Sequence, residues 1–215
     1  MNQDAQRSTA LSFLGGVHRR TVFGRRASVL AEMLAAQIPA GASVLDVGCG
    51  DGTIAKLIAR QNQSVTIQGI EFAPRADCRI ECKPFDGHSI PFPANSFDGC
   101  MFVDVLHHVK ESQGIERLLR EASRVSRKFV LIKDHLSESR IDFRTLQFMD
   151  WVGNRPHGVI LPYNYQSREE WDKHFVAAGL RVKEWQPNVP LYPFPFTALF
   201  GRQLHYTALL EKLKS

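Results

Sequence analysis

The feature that most constrains this chain is the run Val44-Leu45-Asp46-Val47-Gly48-Cys49-Gly50-Asp51-Gly52. Residues of strand character lead straight into three glycines at alternate positions. A helical pattern starts at once, with Ile54, Leu57 and Ile58 spaced for one face. Strand, glycine turn and helix in immediate succession form the first half of a βαβ unit. That unit points to a parallel sheet with helices on its faces. Glycines at such a turn permit a tight backbone and let a ligand approach without a Cβ in the way.

The alternation continues along the chain. Apolar spacing predicts helices over Ser28–Ile38, Thr53–Arg60, Ile115–Val125 and Ser137–Trp151. Ser167 and Glu170 form a capping box for a helix carrying Trp171 and Phe175, which Gly179 closes. Strands are predicted at Val44–Val47, Val65–Ile70, Cys78–Lys83, Asp98–Val103, Phe129–Ile132, Leu180–Trp185 and Leu204–Leu210. Phe129–Ile132 is apolar throughout, as suits a strand covered on both faces. The last two strands have no helix between them and should therefore pair antiparallel. The expected fold is α/β: a Rossmann-like three-layer sandwich around a seven-stranded, mostly parallel sheet with an antiparallel C-terminal strand pair. A basic arm over 1–27 precedes a single domain over 28–215.

A chain of 215 residues, 23% charged and 44% hydrophobic, suits one globular domain and excludes wholesale disorder, collagen-like repeats and a bare coiled coil. No stretch reaches the roughly 18 apolar residues that a spanning helix requires. The N-terminus lacks the pattern of a secretory signal, so a cytoplasmic location is expected. The net charge is +5, but it is unevenly placed. Arg7, Arg19, Arg20, Arg25 and Arg26 face only Asp4 in the arm, and the body is nearly neutral. Cys49, Cys78, Cys82 and Cys100 read as reduced thiols. Cys78 and Cys82 stand in C-x3-C spacing without a second Cys or His pair at zinc-site intervals, so no metal is expected.

Glu71 ends the second strand, about 20 residues beyond the glycines, where an acid can accept from both hydroxyls of a ribose. The site is thus of adenosine type. A dinucleotide loop spaces its glycines G-x-G-x-x-G to seat a pyrophosphate. Here they alternate as G-x-G-x-G behind Asp46, whose carboxylate would repel a pyrophosphate but suits an ammonium and a sulfonium. At this point the sequence resembles the class I S-adenosylmethionine-dependent methyltransferases of the small-molecule type, over roughly Ser28 to Leu210. The resemblance implies S-adenosyl-L-methionine as cofactor. It implies that Asp46, Gly48, Cys49, Gly50 and Gly52 hold the methionine part, and that Glu71, followed by Phe72, holds the ribose. In the Pro84–Val109 segment it implies adenine contacts from Asp86 and Gly87, with His88 as another flank of the ring. Asp104 would line the pocket, and the Leu106-His107-His108-Val109 run is frequent in this type.

Methyl transfer needs mainly alignment of the acceptor, and a base only where the acceptor must lose a proton. Candidates follow the fourth and fifth strands: His107, Asp134 and His135. His107 and His108 are adjacent, so at most one is expected to face the cleft. His135 is placed on the loop after a buried strand, with Asp134 orienting it or binding the acceptor. The segment from about 135 to 166, with Arg155, His157 and Tyr163, is expected as an acceptor lid. Val189–Phe200 is read as a proline-rich connection along the sheet edge. The expected partner is a small-molecule acceptor rather than a nucleic acid. No Asn/Asp-Pro-Pro-aromatic run follows the fourth strand, and no Pro-Cys pair occurs. The basic arm leaves a tRNA or rRNA methyltransferase, and beside it a non-catalytic S-adenosylmethionine-binding protein, as alternatives. Monomer and homodimer both stay open.

Overall fold

In the computed structural model, strand β1 (Ser43–Val47) lies at the centre of the sheet, and the glycine turn at its end reverses the chain into helix α2 (Thr53–Gln61). The structure describes residues 24–154, 161–191 and 203–213. Helix α1 spans 24–37. Then follow β2 (Thr66–Glu71), β3 (Cys82–Pro84), β4 (Phe97–Val103), a 3-10 turn (Leu106–His108) and α3 (Ser112–Val125). After these come β5 (Ser126–His135), α4 (Arg140–Asn154), α5 (Arg168–Ala177), β6 (Leu180–Pro187) and β7 (His205–Lys212).

The seven strands run in the order β3-β2-β1-β4-β5-β7-β6. β1 pairs parallel with β2 and β4, β2 with β3, and β4 with β5, while β7 is antiparallel to both β5 and β6. The order reverses between β1 and β4, which opens a crevice at their carboxyl ends, the usual ligand position in such sheets.

Side-chain alternation along the strands explains the two cores. Leu45, Val47, Val130 and Ile132 face one side, against Ile115, Leu118, Leu119, Ala122 and Val125 of α3 and Trp171 and Phe175 of α5. Val44, Phe129, Leu131 and Leu209 face the other, against Ala31 and Leu34 of α1 and Ala55 and Ile58 of α2. Each fully buried aliphatic side chain contributes about 1.5–3 kcal/mol, so the stripe on α3 suffices to dock that helix. The capping box of α5 forms as its sequence predicts, with the Ser167 N–H donating to Glu170 Oε2 at 2.7 Å.

Several element bounds differ from the sequence expectation, and three of them bear on the site or the sheet edge. Residues 24–27 are already helical, ahead of the expected start at Ser28, so Arg25 and Arg26 belong to α1 and not to the arm. β3 keeps only Cys82–Pro84 of the expected span, because it is an edge strand with β2 as its sole partner. β5 runs on through Lys133, Asp134 and His135, since β7 continues the ladder past the apolar run, pairing Lys133 with Thr207, Asp134 with Tyr206 and His135 with His205. The remainder of the arm (1–23) and most of the proline-rich connection (192–202) lie outside the described residues, as do Arg155 and His157.

Gly99 on β4 makes room for Phe129 of β5: a Cβ there would lie 2.3 Å from the phenyl ring. The ring is clamped by the sheet and cannot withdraw. Gly99→Ala is therefore expected to cost about 1–3 kcal/mol of stability, read as a lower urea midpoint at unchanged slope. Wild-type stability in this variant would show that the ring can move.

Candidate active site

Gly48, Gly50 and Gly52 all adopt left-handed φ, at 76°, 57° and 69°. At Gly48 the space is also needed, since a Cβ would meet Val105 Cγ2 at 2.7 Å. The loop is held from β2: the N–H groups of Gly48 and Cys49 donate to the Ile70 carbonyl, and Gly50 N–H donates to Glu71 Oε2 at 2.8 Å. Phe72 N–H donates to the other oxygen of Glu71, also at 2.8 Å. Glu71 thus ties its own strand end to the glycine loop. Asp46 is buried at the end of β1, and its Oδ1 has no hydrogen-bond partner among the described residues. Burial, reinforced by Glu71, pushes its pKa up to about 7. An orphaned buried carboxylate of this kind is costly unless a cationic group meets it. Phe72 leaves its ring exposed above Gly87. Asp86 Oδ1 accepts from the N–H groups of His88 and Ser89, which fixes the turn and lowers the pKa of the carboxyl. The Cys49 side chain turns toward β2 and β3, with its Sγ 3.4 Å from that of Cys82.

A second polar group fills the carboxyl ends of β4 and β5. Asp104, expected to line the cofactor pocket, has left-handed φ (58°) and binds the Lys133 ammonium with one oxygen. Its other oxygen accepts from Arg26 Nη2 of α1 at 2.7 Å. Burial raises the Asp104 pKa, but Lys133 and Arg26 more than offset this and hold it well below the usual carboxylate range. It is no general base. Lys133 is fully buried, and its Nζ also lies 3.4 Å from His205 Nδ1.

Beside this pair, Asp134 Oδ1 lies 2.7 Å from His107 Nδ1 and accepts from the His135 N–H at 2.7 Å, while Oδ2 accepts from Leu106 N–H at 2.9 Å. The His107 and His135 Nδ1 atoms are 3.1 Å apart. His107 Nδ1–H donates to Asp134 at 2.7 Å. His135 Nδ1 lies 3.1 Å from His107 Nδ1 and 3.4 Å from Asp134 Oδ1, its donor or acceptor role set by the tautomer. His107 Nε2 faces Asp150 Oδ2 at 3.7 Å, and the Tyr165 hydroxyl donates to that oxygen at 2.5 Å. Burial pulls the His107 pKa down, but Asp134, with Asp150 and Asp104, reverses this, and the net shift is upward. Burial and the neighbouring His107 lower His135. Burial and His107 also bring His108 to about 4, and burial and Lys133 carry His205 well below its ordinary value.

Two expectations are corrected here. His135 and Asp134 are strand residues with almost no exposed surface, not loop residues, because β7 covers them. Asp134 is fully buried and meets both His107 Nδ1 and the His135 N–H with the same oxygen. His107 and His108 share one 3-10 turn with ring centroids 4.0 Å apart, and His107 is the one drawn into the network. Within the expected lid, Tyr165 reaches inward to Asp150, and Asn164 Nδ2 donates to the Val109 carbonyl. Sequence reasoning missed Lys133, Asp150, Tyr165 and His205. Lys133 alone carried a signal, as a lysine directly continuing a buried strand.

With this geometry in view, the family comparison is decisive: the model of a methyltransferase domain matches residues 18–184. The chain belongs to that family. This methyltransferase is 37% identical over 124 residues to a demethylmenaquinone methyltransferase of Tropheryma whipplei (strain Twist), which covers 54% of this chain and 46% of the relative. It is 32% identical over 98 residues to a tRNA (carboxymethyluridine(34)-5-O)-methyltransferase of Xenopus tropicalis, over 43% of this chain and 15% of the relative. The chain thus spans less than half the length of these two relatives. A solved methyltransferase of calicheamicin biosynthesis, in SAH-bound form, superimposes with TM-score 0.62 at 18% identity, covering 96% of this chain and 58% of that one. The orphaned Asp46 carboxylate fits a cationic cofactor. Among the described residues no helix is long and apolar enough to cross a membrane.

Two outcomes follow from the buried charges. Asp104→Ala leaves Lys133 buried without its carboxylate and is expected to cost about 3 kcal/mol, the lower end for a broken buried pair, measured by urea unfolding. The second concerns pH. An unfolded imidazole titrates near 6.5, whereas His108 in the fold titrates near 4 and His135 and His205 are also lowered. Their contribution is complete above 6.5 and lost as pH falls. His107, raised, runs the other way: its contribution is complete below 6.5 and fades as pH rises through its folded value. In an Asp46→Asn variant, which removes the opposing proton uptake of Asp46 (pKa about 7), three lowered imidazoles act against one raised, and acidification from about pH 7 to about pH 5 is expected to lower the unfolding midpoint. A midpoint that rises over that interval would contradict the neutral assignment of the three.

Proposed function

We propose that this methyltransferase transfers the methyl group to a small phenolic or enolic acceptor, of the quinol type, whose hydroxyl proton passes to His107. Asp46 would hold the amino group of S-adenosylmethionine, and Glu71 would hold the ribose with the lone pairs that Gly50 and Phe72 leave open. Phe72, Asp86 and Gly87 bound the adenine. The cofactor supplies a methyl group already activated by its sulfonium. The chain's part is to hold the acceptor oxygen or ring carbon in line and to receive the proton, and alignment alone is worth roughly 7–11 kcal/mol.

The observation that carries the reading is the pair of Asp134 and His107 at 2.7 Å. Asp134 takes the Nδ1 side and leaves Nε2, buried and 3.7 Å from Asp150 Oδ2, as the receiving atom. The carboxylate stabilises the imidazolium that forms, consistent with the raised pKa of His107. His135, kept neutral, lies with its Nδ1 3.1 Å from His107 Nδ1 and fixes the ring. The likeness to a demethylmenaquinone methyltransferase supports an acceptor of this chemistry.

The test uses S-adenosylmethionine labelled in its methyl group, with a naphthoquinol and bulk tRNA as alternative acceptors. Label is expected on the naphthoquinol. His107→Ala should lower turnover about 10²–10⁴-fold while the affinity for S-adenosylhomocysteine in calorimetry stays near wild type. Glu71→Ala should instead weaken that affinity by about 1.5–3 kcal/mol. Label on tRNA with none on the naphthoquinol, or full turnover by His107→Ala, would refute the proposal.

A further inference from the structure

Apart from the network at β4 and β5, the described residues hold one other tight group of potential metal ligands, the thiols of Cys49, Cys78 and Cys82. The C-x3-C pair has no partner pair in the sequence. The fold supplies a third thiol from the glycine loop instead.

Three observations bear on this group. All three sulfurs lie within 4.8 Å of one another, and those of Cys49 and Cys82 are 3.4 Å apart. A tetrahedral zinc with sulfur at about 2.3 Å places its thiolates roughly 3.8 Å apart, which falls inside this spread. Glycines clear the space the thiols fill: a Cβ at Gly69 would lie 2.5 Å from Cys49 Sγ, and one at Gly52 would lie 3.2 Å from Cys78 Sγ. Finally, each sulfur comes from a separate piece of chain. Cys49 sits in the glycine loop, Cys78 in the turn after β2, and Cys82 on β3, beside Gly69 in the ladder. Hydrogen bonds bring the same pieces together, with Arg79 N–H donating to the Asp51 carbonyl and Gly69 N–H to that of Glu81.

We propose that Cys49, Cys78 and Cys82 form a site for a thiophilic divalent cation of the zinc type, bound by three thiolates and one solvent molecule. Three S–H bonds break as three metal–sulfur bonds form, and three protons leave to the buffer. The neighbouring carboxylates of Asp46 and Glu71 favour the cation. The ion crosslinks the glycine loop to the edge of the sheet.

The full chain, reduced and stripped of metal with a chelator, is titrated with Cd²⁺, and the thiolate-to-metal charge-transfer band in the ultraviolet is followed. Saturation at one ion per chain, with the intensity of three thiolates, is expected. Cys78→Ser and Cys82→Ser should each remove one thiolate's share of the band and weaken binding at least about tenfold. Cys100→Ser, a core thiol on β4, should change neither. Circular dichroism of each variant checks that it folds, and both Cys78→Ser and Cys82→Ser are used so that one misfolded protein does not decide the matter. A band that never saturates, or one untouched by both serine variants, overturns the site. So does formation of a Cys49–Cys82 disulfide in the untreated protein, read as two lost thiols with no metal taken up.

Discussion

The site as a whole depends on the ion pair of Lys133 with Asp104. A lysine ammonium with no exposed surface is tolerable only where a carboxylate meets it, and this pair joins the end of β4 to β5. Arg26 adds a second cation from α1, and His205 on β7 closes the group from the other side. Four elements are thereby held in fixed relation at the carboxyl edge of the sheet. The left-handed φ of Asp104, unusual for a residue with a Cβ, fits this role. It turns the carboxylate back toward Lys133 as the chain leaves β4, and the ion pair offsets the conformational cost.

The same pair sets the protonation of its neighbours. Lys133 and Arg26 keep Asp104 ionised, and the positive charge of Lys133 disfavours protons on His135 and His205. Asp134 acts oppositely on His107. Two imidazoles 3.1 Å apart would repel if both were charged, and the surroundings separate them into one that holds a proton and one that does not. An imidazole of raised proton affinity thus lies beside one of lowered affinity within a buried frame. Burial and His107 itself lower His135, and Asp134 raises His107.

Much of the fold was legible because its signals are local. The glycine turn, the stripe on α3, the capping box at Ser167 and the missing crossover before β7 each depend on neighbours in sequence, and the sheet has the expected order and antiparallel end. The cofactor-side residues were legible for the same reason, since Asp46, the glycines and Glu71 stand at strand ends in a recognisable spacing. The acceptor side was not. Hydropathy ends β5 at Ile132, because Lys133, Asp134 and His135 look like solvent residues. They are buried because their partners Asp104, His107 and His205 come from β4, the turn after it and β7, and such pairing leaves no periodic trace. Arg26 was likewise read as part of a basic arm, although it belongs to α1 and reaches the site.

The two halves of the site now differ in a physically meaningful way. On the acceptor side each carboxylate is already matched: Asp104 by Lys133 and Arg26, Asp134 by His107 and backbone N–H groups, Asp150 by Tyr165. On the cofactor side Asp46 has an unmatched oxygen and a pKa raised to about 7. The fold therefore matches the charges at the ends of β4 and β5 by itself and leaves one oxygen of Asp46 unmatched. A cation delivered to Asp46 both satisfies that oxygen and draws its proton equilibrium back toward the carboxylate, so cofactor binding and Asp46 ionisation are linked. A neutral or anionic adenosine derivative would lack this linkage. A cationic ligand would be favoured by this single oxygen at the end of β1, which is buried and without a hydrogen-bond partner among the described residues.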